Sequence, residues 1–139
     1  MRKFLLIKVR DHTYGIILEI NSYTYFAPLN SPKLTHKKYR PNPSFMNIGE
    51  NSEFGIIRFN NMLPVCNGEL VLMDLENIEG KYKVLLDNQN RFIQKYTKEI
   101  RKQANTLYKL VVDRKEAFLS QICCDFRLLE QRCREYDKK

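Results

Sequence analysis

At 139 residues the chain is long enough for one domain, taken here as residues 1–139, with a core of its own. Hydrophobic residues make up 43% and charged residues 29%, which excludes a disordered chain, and no window nears the roughly 18 apolar residues of a membrane span. The formal net charge of +8 is unevenly placed: residues 81–115 hold ten Lys or Arg against Asp87, Glu99 and Asp113, a surplus of seven that points to a polyanionic partner, most often nucleic acid.

The N-terminus "MRKFLLIKVRDH" has an apolar run of only Phe4 to Ile7, ended by Lys8. That is too short for a signal peptide, so a cytoplasmic protein without a membrane partner is expected. The first half of the chain reads as strands. "KFLLIKV", "YGIILEI" and "YTYFAPL" are short and rich in Ile, Val, Tyr and Phe, with polar breaks at Arg10-Asp11-His12 and Asn21-Ser22. Ile16, Leu18 and Ile20 alternate with Glu19, which points the other way. The Asn21-Ser22 break is short enough for a hairpin although it lacks the usual glycine. Residues 33–52 carry Pro41, Pro43, Gly49 and many polar side chains, and read as a long connection with one short strand near Phe45. Connections of that length are often functional. "EFGIIRF" and "GELVLMDL" are further strands, with "NNMLPVCNG" between them as a loop or bulge.

The second half reads as helices. Leu85, Phe92, Tyr96, Ile100, Ala104, Leu107 and Val111 recur as one amphipathic stripe, with a break expected near Gln103 to Thr106. Leu119, Ile122, Phe126, Leu129, Cys133 and Tyr136 continue the same periodicity as one last helix. The class is therefore α+β, an antiparallel sheet packed by C-terminal helices. The four cysteines show no CxxC or CxxH spacing, so no metal site is expected. Cys123 and Cys133 fall on the helical apolar pattern and are expected to be buried, reduced thiols.

The densest chemistry lies in "FAPLNSPKLTHKKYR", where an apolar strand runs into Ser31, Lys33, His36, Lys37, Lys38 and Arg40. RNA carries its own nucleophile, the ribose 2′-hydroxyl. Cutting it without a metal requires a base for that proton, cations and donors for the charge that builds on phosphorus, and an acid for the departing 5′-oxygen. Ser31 and Lys33 suit the phosphate. Histidine is the side chain whose unperturbed pKa best suits proton transfer near neutrality, which makes His36 a candidate. Asp11 and His12 could approach if the first hairpin abuts the third strand. A Gly-rich phosphate loop, HExxH and GxSxG are all absent from the sequence.

"YFAPLNSPK", followed by "GIIRFNNMLPV", "ELVLMDL" and "CDFRLLEQRCREY", resembles the toxins of type III toxin–antitoxin systems, the ToxN/AbiQ family, and is most like its CptN branch. The resemblance implies a strongly curved antiparallel sheet related to the Kid and MazF toxins. It implies a metal-independent endoribonuclease, free of cofactors, that leaves a 2′,3′-cyclic phosphate. It also implies inhibition by a small pseudoknot antitoxin RNA, cut by the toxin from a repeat precursor and bound in a closed head-to-tail assembly, and a role in phage defence by abortive infection. Carried over by position, the family's serine and lysine are Ser31 and Lys33, and its threonine is Asn30 here. Where longer relatives place a Tyr and a Lys upstream, this chain offers Asp11, with Lys8 and Arg10 nearby. Phe126 falls in the matched C-terminal motif.

The expected catalytic set is thus Ser31, Lys33, His36, Asp11 and Asn30. Cellular or phage RNA is the expected substrate, held by Lys8, Arg10, Lys37, Lys38, Arg40, Lys81, Lys83, Lys95, Lys98, Arg101, Lys102, Lys109 and Phe126. A non-catalytic RNA-binding module would need the cations without the Ser31–Lys33 pairing. A protein-interaction domain fits the cationic helix face poorly.

Overall fold

The computed structural model describes residues 6–9, 13–33, 41–65, 71–72 and 80–137. Among them the sheet has seven strands: β1 (Leu6–Val9), β2 (Thr13–Ile20), β3 (Tyr23–Asn30), β4 (Phe45–Asn47), β5 (Ile56–Arg58), β6 (Leu63–Pro64) and β7 (Val71–Leu72). Every pairing is antiparallel, in the order β4-β5-β3-β2-β1-β7, with β6 also on β3. Four helices follow: α1 (Lys81–Lys95), α2 (Thr97–Val112), α3 (Ala117–Ile122) and α4 (Phe126–Asp137). This is the expected α+β arrangement, with the short strand near Phe45 in place as β4. No helix among the described residues is long and apolar enough to cross a membrane.

The core forms where the sheet meets α2. Ile16, Leu18 and Ile20 are buried on the inner face of β2 while Glu19 is exposed, as the alternation predicts. Ile100, Ala104 and Leu107 of α2 are buried in the same cluster. Each fully buried aliphatic side chain contributes roughly 1.5–3 kcal/mol. The β2–β3 hairpin turns through Asn21 and Ser22, both at positive φ (53° and 66°), the geometry that tight hairpin turns require.

The helices divide at places other than those expected. The break comes at Tyr96 (φ −110°, ψ 27°), and α2 runs unbroken through Gln103 to Thr106. The Thr97 hydroxyl donates to the carbonyls of Ile93 (2.9 Å) and Gln94 (3.2 Å), back-bonding of the kind that bends a helix. The expected last helix is two. Cys123 is extended, its neighbour Cys124 donates its N–H to the Asn60 carbonyl, and Asp125 starts a fresh helix by accepting the Leu128 N–H (3.1 Å). Cys123 and Cys124 are free, but Cys133 is disulfide-bonded, against the expectation of a reduced thiol. Cys133 is buried, as the helical spacing predicts, and α4 packs on β6 so that its sulfur lies 3.7 Å from the Pro64 oxygen.

Candidate functional site

β3 is the strand that both halves of the sheet share. Along one edge it pairs with β2 from Ile20↔Tyr23 to Gly15↔Pro28. Along the other it pairs first with β6, at Tyr25 and Phe26, and then with β5, at Leu29 and Asn30. The ladder stops there. Ser31, Pro32 and Lys33 leave the sheet and are exposed. Pro32 has no N–H to continue the pairing and favours extended backbone at Ser31. Side chains two apart on extended backbone share a side, which suits a hydroxyl and an ammonium acting on one phosphate.

The exit of β3 is held by Gly55. It has φ +102°, and a Cβ built on it would lie 1.9 Å from the Asn30 oxygen and 3.3 Å from the Ser31 carbonyl carbon. Only glycine lets the two backbones approach so closely. Behind it the 49–55 turn is tightly tied. Ile48 N–H donates to Gly55 O (2.9 Å), Phe54 N–H to Ile48 O (3.0 Å), and Gly55 N–H to Ser52 O (2.9 Å). Ser52, buried, donates its hydroxyl to Asn47 (2.5 Å), and the buried Gln89 of α1 donates to Phe54 O (2.8 Å). The end of β3 thus rests on a turn anchored to both the sheet and α1.

Of the remaining expected residues, Asn30 is half-buried and pairs with Ile56. Lys8 lies in β1 opposite Tyr14, and β2 begins at Thr13, at the end of the sheet where β3 finishes. Arg10, Asp11, His36, Lys37, Lys38 and Arg40 lie outside the described residues, as does His12. Lys81 opens α1, Lys83 is half-buried, and Lys95 is exposed near the α1 C-terminus. Lys98, Lys102 and Lys109 are exposed on the face of α2 turned away from Ile100, Ala104 and Leu107, while Arg101 is half-buried. Among the described residues no three His, Cys, Asp or Glu side chains gather as metal ligands would.

A family model for the toxin ToxN of type III toxin–antitoxin systems matches residues 8–134. The chain belongs to that family. Ser31, Lys33, Gly55 and the cationic face of α2 all fall within the ToxN match. Endoribonuclease ToxN of Pectobacterium atrosepticum is 34% identical over 131 residues, 90% of this chain and 74% of the relative. Endoribonuclease AbiQ of Lactococcus lactis subsp. lactis is 28% identical over 134 residues, 90% and 73% of the two chains. A solved type III toxin inhibited by a non-coding RNA pseudoknot superposes with a TM-score of 0.78 at 26% identity, covering 94% of this chain and 83% of that one. The solved structure of AbiQ, a lactococcal anti-phage endoribonuclease, shares the fold of this chain at a TM-score of 0.84 and 19% identity, covering 99% of this chain and 100% of that one.

The structure corrects one residue of the expected RNA surface. Phe126 is 1% exposed, so its ring meets protein rather than RNA. It stacks on Tyr108 (5.7 Å, 15°) and meets Tyr25 edge-on (5.9 Å). Beside it the fully buried Glu130 accepts the hydroxyls of Tyr25 (2.6 Å) and Tyr108 (2.8 Å) on one oxygen and Arg127 (3.0 Å) on the other. Burial first, and the Glu130 bond second, push both tyrosine hydroxyls above their usual range. This cluster fastens α4 to β3 and α2. Two positioning residues escape a reading of the sequence. Gln103 donates to the carbonyls of Pro43 (3.3 Å) and Phe45 (2.6 Å) and fixes the return of the long connection. Gly55 left one signal, a lone glycine inside the apolar run "EFGIIRF".

Proposed function

We propose that this chain is the toxin of a type III toxin–antitoxin system: a single-domain cytoplasmic endoribonuclease silenced by direct binding of a pseudoknot RNA. The observation that carries the reading is membership of the ToxN family over residues 8–134, with Ser31 and Lys33 exposed where β3 ends. In the proposed reaction the ribose 2′-hydroxyl attacks the adjacent phosphorus as a base takes its proton. The bond from phosphorus to the 5′-oxygen breaks, and that oxygen is protonated. The products are a 2′,3′-cyclic phosphate and a free 5′-hydroxyl, with no metal required. Ser31 donates to a non-bridging oxygen and Lys33 places a cation beside the charge that grows on it. His36 and Asp11 are the proposed proton-transfer groups, and Asn30 is a polar neighbour of the phosphate. Lys37, Lys38, Arg40 and the cations of α1 and α2 hold the strand.

The same site would process the repeat precursor of the antitoxin and then retain the product. Toxin and RNA would alternate head to tail in a closed assembly, released during phage infection. Induced expression in a bacterial host tests this. Growth should arrest, host transcripts should acquire cyclic-phosphate ends, and RNA transcribed from a tandem repeat upstream of the reading frame should relieve the arrest. Arrest without new RNA ends would refute the nuclease, and arrest that no upstream RNA relieves would refute the antitoxin.

A further inference from the structure

The 49–55 turn also forms one wall of a groove of about 570 Å³, with the last two turns of α1 as the other wall. The groove is polarised across its width. Arg91 and Lys95, both exposed, stand on the helix wall, and Glu50 and Glu53, both exposed, on the turn wall. Between them lie the half-buried rings of Phe92 and Tyr96, with centroids 4.6 Å apart, and the Lys95 ammonium sits 5.4 Å from the Tyr96 ring centre. The turn itself is unusually constrained. Gly49, Asn51, Ser52 and Gly55 all have positive φ, and two of these four are not glycine. Left-handed residues held by several hydrogen bonds cluster where a rigid surface has a task.

We propose that this groove holds one unpaired nucleotide of the RNA next to the scissile phosphate, its base against Phe92 and Tyr96, its phosphate toward Arg91 and Lys95, and an amino-bearing base edge toward Glu50 and Glu53. The proposal rests on the endoribonuclease reading and adds to it a source of sequence preference. Position argues for it: Phe54 lines the groove, and the next residue, Gly55, touches the backbone of Asn30 and Ser31. Chemistry argues for it too. Carboxylates repel phosphate but accept from the amino groups of adenine, cytosine or guanine, as they do from cytosine in nucleic-acid grooves. Uracil has no amino group: its one donor on that edge is the ring N3–H, flanked by two carbonyls that would face the carboxylate oxygens. The aromatic rings receive any base face, and the two cations complete a single-strand site.

The test compares short RNA oligonucleotides that differ by one added nucleotide at the 5′ or 3′ side of the cut, with each of the four bases at the added position. Cleavage is followed under single-turnover conditions, and binding of the same oligonucleotides by fluorescence anisotropy. For the wild-type protein, the nucleotide that reaches the groove should improve binding and kcat/KM by roughly 5- to 150-fold, the range of one base–aromatic stack. Adenine, cytosine and guanine should gain more than uracil. Tyr96→Leu should bring the ratio of longer to shorter oligonucleotide close to one. Glu53→Gln, exposed and with an amide oxygen that can still accept the Glu50 N–H, should keep the gain and raise uracil to the level of the others. Cleavage with no gain at either end, or a gain and base preference that neither variant alters, would overturn the groove and leave the nuclease standing. Length-dependent binding without any cleavage would do the reverse.

Discussion

Replacing Gly55 with Ala probes the link between the fold and the proposed chemistry. The new methyl would stand 1.9 Å from the Asn30 oxygen, whereas real Cβ atoms essentially never come within 3.0 Å of such a neighbour. Both partners are backbone, in strand β3 and at the start of β5, so no side chain can swing aside. Holding φ near +102° also strains any residue with a Cβ, by roughly 1–3 kcal/mol. Overpacking adds a similar amount, so the total cost is about 2–6 kcal/mol, comparable with the stability of an ordinary domain. The strands must part by about 1 Å at Asn30, and a displacement of that size at reacting groups lowers rates on the order of 100-fold. The assay is single-turnover cleavage of a short fluorogenic RNA alongside thermal unfolding. Gly80→Ala is the control: its φ is +82°, but nothing lies within 4 Å of the added Cβ. It should lose stability and retain its cleavage rate. A folded Gly55→Ala protein that cleaves as fast as the wild type would refute the idea that this contact positions Ser31.

Ser22 occupies positive φ without being glycine, so Ser22→Gly should stabilise the hairpin by roughly 0.5–1 kcal/mol and raise the melting temperature by a few degrees. Tyr25 and Tyr108 hold their protons above the ordinary tyrosine range, chiefly because they are buried. The folded state therefore keeps protons that the unfolded chain releases. That contribution to stability is complete below pH 10 and is lost as pH rises through the folded values. Spectrophotometric titration should show late-ionising tyrosines, and denaturant midpoints should fall on the alkaline side. An alkaline plateau would contradict the buried Glu130 cluster. Replacing Lys98, Lys102 and Lys109 together should flatten the salt dependence of antitoxin binding by about 0.7–0.9 in log–log slope for each phosphate that is no longer neutralised. An unchanged slope would mean that this face of α2 meets no RNA.

Local patterning made much of the fold legible. The alternation of Ile16, Leu18 and Ile20, the turn at Asn21-Ser22 and the stripe through Ile100, Ala104 and Leu107 all report burial along a single element. What stayed hidden depends on contacts between distant segments. The helix break sits at Tyr96 because the Thr97 hydroxyl captures two carbonyls, a choice that the apolar period does not record. The split before α4 depends on the Asn60 carbonyl, which belongs to the sheet side of the molecule. In the site, Ser31 and Lys33 were legible as a motif at a strand end. Gly55 was not, because its requirement for glycine arises only when β5 lies against Asn30. Phe126 shows the opposite effect: a motif position read as RNA-facing is a core ring, and the apolar period alone placed it correctly.

Ser31 is proposed to support the phosphate during metal-independent cleavage of RNA. The decisive measurement is single-turnover cleavage of a defined oligonucleotide in excess EDTA, for wild-type protein and Ser31→Ala, with the new 3′ end identified by mass. The wild-type protein should cut in chelator and leave a 2′,3′-cyclic phosphate. The folded variant should be slower by roughly 100- to 1000-fold, the effect of removing one donor to a developing charge. Strict dependence on added Mg²⁺, or a Ser31→Ala protein that cleaves at the wild-type rate, would contradict it.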